Sequence, residues 1–205
     1  TYRRLHPLAP GGLAGSVHAM ELAGPWRAIP ATEELRRTWL DEPDERGWEP
    51  VSVPGHWRNE AAFDDADESL LYLTDFDHDG PAGPDERWWL VFDGLFYQGD
   101  VWLDGAYVGD TEGYFFPHAF EVTEALAQRG AHRLGVDLTC TRPADRTTKR
   151  NITGSFQHAS YVDQAWNPGG IWRPVRLERT GPVRIRHLRV LCRDCLLYTS
   201  PSPRD

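Results

Sequence analysis

The sequence predicts an all-β fold, a sandwich or barrel of about nine short strands, and three observations predict it. Apolar residues recur in brief runs with a period near two, the spacing that puts one pleat face against a core. Nineteen glycines and sixteen prolines punctuate those runs along 205 residues. No sustained 3.6-residue periodicity marks a long amphipathic helix, and no 20–50-residue repeat is present.

Each element follows from local chemistry. Trp26-Arg27-Ala28-Ile29 reads as a short strand. Thr32 precedes Glu33 and Glu34, a pattern that caps a helical turn and places acids at its positive end. Trp48 to Val53 alternates apolar and polar until Pro54-Gly55 forces a turn. Asp64 to Glu68 reads as an acidic loop, and Leu70 to Phe76 as the next strand. Trp88-Trp89-Leu90-Val91-Phe92 is apolar on both pleat faces, so either the chain's own loops or another domain must cover its outer side. Asp104-Gly105 lies between Val101-Trp102-Leu103 and Ala106-Tyr107-Val108, the strongest short-range hairpin signal in the chain. Phe120 to Val122 leads to Thr123, which is placed to cap one helical turn through Leu126. Leu134, Val136 and Leu138 alternate with Arg133, Gly135 and Asp137 as a half-buried strand. Thr141 to Trp166 carries few strand formers and reads as a long polar loop. It ends at Asn167-Pro168-Gly169-Gly170, a turn sequence, after which Ile171–Glu178 and Val183–Leu191 read as two more strands. In the last of these, Arg184, Arg186 and Arg189 are expected on the wet face.

Composition narrows the function classes. The formal charge is −9, so the average field repels a phosphate backbone and nucleic acid is not an expected partner. No apolar run approaches the ~20 residues that cross a bilayer as a helix, so no membrane partner is expected. Three cysteines, Cys140, Cys192 and Cys195, are too few and odd in number for a disulfide framework, and Cys192-x-x-Cys195 lacks the second pair of a zinc site. Neither a metal nor another cofactor is expected. Compartment is open, with the cytoplasm slightly favoured. The expected plan is an N-terminal loop segment over 1–20, one sandwich domain over 21–191, and a tail over 192–205. That tail changes character near Cys195 and resembles translated adaptor sequence.

Several words in fixed order resemble family 2 glycoside hydrolases, the group of β-galactosidases, β-glucuronidases and β-mannosidases. Val53-Pro54-Gly55-His56-Trp57 is similar to the family's VPGxW element. Phe92-Asp93-Gly94-Leu95, Val101 to Gly105 and Val108-Gly109 resemble its FDGV and VWLNGxxVG run. Gly113-Tyr114 through Phe120 resembles GGYxPF, and Gly170-Ile171-Trp172-Arg173-Pro174-Val175 matches GIWRPV. The resemblance implies a galactose-binding-domain-like jelly-roll sandwich with one or two short helical turns, at the N-terminus of a parent enzyme. It also implies an immunoglobulin-like domain and a (β/α)₈ barrel as the missing partners. The barrel would carry the paired glutamates of a retaining glycosidase. A barrel takes about 250 residues, so no catalytic residue is expected in this chain.

What the resemblance leaves here is contact with a saccharide substrate. The segment before GIWRPV implies Asp163 as a hydroxyl acceptor, with Gln164 as the alternative at that position. Trp166 offers a face for a pyranose ring and Asn167 both a donor and an acceptor. Asp75, in Thr74-Asp75-Phe76, is a further candidate. Arg173 reads as a structural fork for a carboxylate, and Trp102 and Trp172 as packing residues. The competing reading is a stand-alone carbohydrate-binding module.

Overall fold

A computed structural model describes residues 18–40, 46–64, 69–81, 83–113, 115–140 and 169–186. Among the described residues, ten strands form two antiparallel sheets. One has four strands in the order β1 (His18–Glu21), β10 (Val175–Thr180), β5 (Arg87–Phe92), β8 (His118–Glu121). The other has six: β3 (Glu49–Val51), β2 (Trp26–Pro30), β4 (Ser69–Asp77), β9 (Ala131–Thr139), β6 (Gln98–Leu103), β7 (Ala106–Glu112). The all-β sandwich expected from the alternation is present.

The main core lies between the sheets. Leu90 and Phe92 of β5 and Val175 and Leu177 of β10 meet Leu70 and Tyr72 of β4 and Leu134, Val136 and Leu138 of β9. These residues sit two apart on each strand, as a period of two requires. Asp104 (φ 54°) and Gly105 (φ 80°) both take the left-handed conformation that a two-residue hairpin between β6 and β7 needs. Asp104 does more than turn the chain. Its carboxylate accepts from the Arg133 backbone N–H and lies 2.8 Å from Nδ1 of the buried His132, which ties the hairpin tip to β9.

A second, smaller core covers the outer face of the six-stranded sheet. Leu73, Gly135 and Trp102 are neighbours across β4, β9 and β6. Gly135 leaves a gap into which the Trp39 ring drops; a Cβ there would stand 2.8 Å from the ring. Trp39 is buried, stacks on Trp48 and meets Trp102 edge-on at 5.5 Å. It is carried by α1 (Leu35–Thr38), whose Leu35 N–H donates to the Thr32 hydroxyl as the sequence suggests. Arg36 anchors this lid, its Nε donating to Asp137 of β9 at 2.6 Å.

Several expectations change. A strand begins at His18, inside the segment read as loop, because its backbone completes the ladder on β10. Thr123 opens α2 (Thr123–Leu126) without capping it; its hydroxyl accepts the Trp88 backbone N–H and so ties α2 to β5. Residues 183–186 are not a strand, and although Arg186 is exposed as expected, its three neighbours are reversed. Val183 and Ile185 are exposed, whereas the Arg184 guanidinium lies over the Trp89 ring at 4.3 Å and pairs with Glu178. The outer side of β5 is thus partly roofed by the chain itself. Cys192, Cys195 and Arg189 lie outside the described residues.

Candidate functional site

Three of the quoted words, far apart in sequence, converge at one end of the sandwich. Gly55 N–H donates to the Ile171 carbonyl, and Trp57 N–H to that of Gly169. Arg173 N–H donates to Gly94, and Asp93 N–H to Pro174. The convergence places glycines where nothing larger fits. Gly170 has φ +97°, and a Cβ on it would stand 2.9 Å from the Tyr72 hydroxyl. A Cβ on Gly169 would stand 2.7 Å from the Trp57 ring. Gly94 similarly takes the Trp172 ring directly against its backbone.

This convergence holds the stem of the segment that carries Asp163, Gln164, Trp166 and Asn167. Phe96 N–H donates to the carbonyl of Gly170, just after the segment, at 3.0 Å. The next residue, Tyr97, donates to the carbonyl of Thr139, just before it, at 3.1 Å. Consecutive residues therefore hold Thr139 and Gly170, which flank residues 141–168, side by side. Asp163, Gln164, Trp166 and Asn167 themselves lie outside the described residues.

The floor of the stem is apolar with polar tips. Trp57 Nε1, the Tyr72 hydroxyl and Trp172 Nε1 are buried and have no hydrogen-bonding partner among the described residues. Burial pushes the Tyr72 hydroxyl well above the usual phenol range, and the neighbouring Cys140 adds to the shift. Tyr72 is therefore a neutral hydroxyl at any physiological pH, able to donate or accept a hydrogen bond but not to act as a base.

Asp75 stands apart from this stem. It is six residues along β4 from Ser69, the partner of Thr139, or ~20 Å at the usual strand rise. Its two oxygens are held by Arg133 of β9, at 2.6 and 3.1 Å, and by Arg27 of β2 at 3.0 Å. It is a cross-strand clamp on the outer face of the six-stranded sheet.

Arg173 also differs from expectation. Its exposed guanidinium lies over the Trp172 ring at 4.5 Å, with no carboxylate partner among the described residues. The two-pronged fork belongs to Arg176, whose Nε and Nη2 bind Asp93 at 2.9 and 2.8 Å. Sequence reasoning missed that pair, although Asp93 and Arg176 sit inside or beside the quoted words. Trp102 and Trp172 pack as expected, Trp102 against Trp39 and Trp172 against the main core. Among the described residues no three His, Cys, Asp or Glu side chains gather as a metal site.

Comparison with known proteins places this geometry. The family described as "Glycosyl hydrolase 2 galactose-binding domain-like" matches residues 44–174. The β-mannosidase B of Aspergillus clavatus is 30% identical over 131 residues, which are 55% of this chain and 15% of that protein. That of Aspergillus flavus is 31% identical over 130 residues, with the same shares. The chain thus spans about 15% of the length of these curated relatives. Among solved structures, a β-glucuronidase from an uncultured Clostridium superposes with a TM-score of 0.63 at 22% identity, over 88% of this chain and 31% of that one. A β-galacturonidase from Eisenbergiella tayi gives 0.55 at 21% identity, over 79% and 24%. At such identities the superpositions establish the fold.

Proposed function

Since the chain belongs to the glycosyl hydrolase 2 galactose-binding-domain-like family, we propose that it is the N-terminal, non-catalytic sandwich of a longer retaining glycosidase. Its role there is to shape one wall of the sugar pocket. The observation that carries this reading is the anchoring of Thr139 and Gly170, which flank residues 141–168, by Tyr97 and Phe96. A rigid sandwich holds both ends of one long excursion, and that excursion carries a carboxylate, an indole and an amide within five residues, Asp163 to Asn167. Those are the groups that recognise a pyranose: an acceptor for hydroxyls, an apolar face for the ring, and a donor–acceptor pair.

In this reading Asp163 accepts hydrogen bonds from sugar hydroxyls, Trp166 stacks on the ring, and Asn167 fixes its orientation. The acid/base and nucleophile, two carboxyl groups ~5–5.5 Å apart in a retaining enzyme, belong to the remainder of the parent. Asp75 serves the sheet rather than the sugar.

The test has two parts. In the longer enzyme, Asp163→Ala should raise KM for an aryl glycoside roughly tenfold, the size of one lost charge-assisted hydrogen bond. An unchanged KM would reduce this domain to a scaffold. Calorimetric titration of the 205-residue chain with galactosides, glucuronides and mannosides should give no micromolar binding, because the pocket is incomplete. Micromolar binding would instead establish a stand-alone carbohydrate-binding module.

A further inference from the structure

The seal on the outer face of the six-stranded sheet stops at Trp102 of β6. Beyond it, on the edge strand β7, Tyr107 is 57% exposed, more open than any other aromatic ring on a described strand. The ring is nonetheless fixed. It meets Trp102 edge-on at 5.6 Å, and its hydroxyl donates to Asp100 at 3.0 Å. What remains open is a rigid, electron-rich face.

Two carboxylates flank that ring. Val101 and Leu103 point into the main core, so Asp100 and Trp102 point outward; buried Thr111 likewise turns Asp110 outward. Asp100 and Asp110 are register partners across β6 and β7, and both are exposed. Like charges set directly opposite one another destabilise a sheet. Elsewhere the strands match their acids: Asp75, Asp137, Glu121 and Glu178 each face an arginine. Among the described residues, no basic side chain reaches Asp100 or Asp110.

We propose that this strip binds a saccharide carrying free amino groups, its pyranose laid on Tyr107 and its ammonium held between Asp100 and Asp110. Charge complementarity selects the ammonium. Ionised carboxylates only accept hydrogen bonds, so the ligand must bring the donors, and a positive charge relieves the facing pair. The ring adds attraction for the same charge through its π face. Its flat apolar surface selects a sugar over a bare inorganic cation. Among organic amines, the choice of a saccharide rests on the reading above that the domain serves a glycosidase. The strip uses none of Asp163, Trp166 and Asn167.

Calorimetric titration of the 205-residue chain with a de-N-acetylated chito-oligosaccharide, and with its N-acetylated counterpart, tests the proposal. At about pH 5.5 the aspartates are ionised and the sugar amines charged. The amine form should bind with roughly millimolar affinity, weakening as salt rises from about 0.05 M to about 1 M. Tyr107→Ala and Asp110→Asn should each weaken it roughly threefold. Equal binding of the two oligomers, or no binding of the amine form, would overturn the proposal. Tetralysine bound as tightly, and weakened by the same variants, would give the strip to a basic peptide, against it. Asp110→Asn relieves the facing charges, so its melting midpoint should hold or rise. A fall would make Asp110 a structural residue and also count against the site. A glycosidase assay separates the two claims. An active parent with no affinity for the amine oligomer defeats this site alone, and an inactive parent that binds it defeats the enzymatic reading alone.

Discussion

The two outer faces of the sandwich solve the same problem in opposite ways. On the six-stranded sheet, the chain folds its own α1 and Trp39 over Leu71, Leu73 and Gly135, and Arg36 fastens that lid to Asp137. On the four-stranded sheet, the cover is a lattice of paired charges and one arginine stacked on Trp89, with apolar side chains left standing at its rim. The first face spends an aromatic side chain to be complete by itself. The second is neutral and open. The difference teaches that burial on this domain is local: one face is sealed by its own side chains, and the other is left open.

Breaking the seal gives the largest expected effect. Trp39→Ala should cost about 3–5 kcal/mol in urea denaturation, since it empties the second core and loosens α1. Gly135→Ala attacks the same contact from below, and overpacking against the ring should cost about 1–3 kcal/mol. A loss under about 0.5 kcal/mol for either would mean that the lid is not seated as described. On the open face, a double-mutant cycle of Asp93→Asn and Arg176→Gln should return a coupling of about 1 kcal/mol, because the pair is bidentate yet partly wet. A coupling as large as the loss at Trp39 would erase the contrast between the faces.

At the seam between the sheets, pH offers a gentler probe. Burial, helped by the neighbouring His132, holds the His78 ring below the ordinary histidine range, and its Nδ1 accepts the Gly80 backbone N–H at 2.8 Å. The unfolded chain therefore binds the proton more readily than the native one, and stability falls as pH drops through about 6.5. His78→Asn keeps an acceptor for Gly80 and should flatten the dependence of the melting midpoint on pH between about 7 and 5. An unaltered slope would assign the titration to other groups. The smallest effect is expected at Ile185→Ser, within about 0.5 kcal/mol in the 205-residue chain, because that side chain is already in water.

The fold was legible where one residue determines one local event. Asp104-Gly105 made the hairpin, the alternation of Leu134, Val136 and Leu138 made β9, and short apolar runs made β4 and β5, because turn chemistry and pleat geometry act within a few residues. What escaped depends on pairs far apart in sequence. Nothing local to Gly135 announces that Trp39 lies on it, and nothing in Arg173 or Arg176 says which reaches Asp93. Strand β1 was missed because its four residues are held by β10 rather than by their own pattern. Around 183–185 the expected faces were inverted, since the ring of Trp89 draws Arg184 inward, while Arg186 is exposed as expected. The quoted words were legible in the sequence and the structure supplied their meeting point, while Asp163, Gln164, Trp166 and Asn167 lie outside the described residues. The arginine clamp on Asp75 was not legible because strand pairing, not its neighbours in sequence, sets Arg27 and Arg133 beside it.

The neighbouring hydrogen bonds of Phe96 and Tyr97 carry a wider implication. When entry and exit of an excursion are fastened to adjacent residues, its contour can lengthen or shorten while the scaffold stays the same. Doubling such an excursion adds only about 0.6 kcal/mol of closure entropy. The sandwich is in that sense a fixed socket for an exchangeable cassette, whose length and sequence can change without renegotiating the fold beneath.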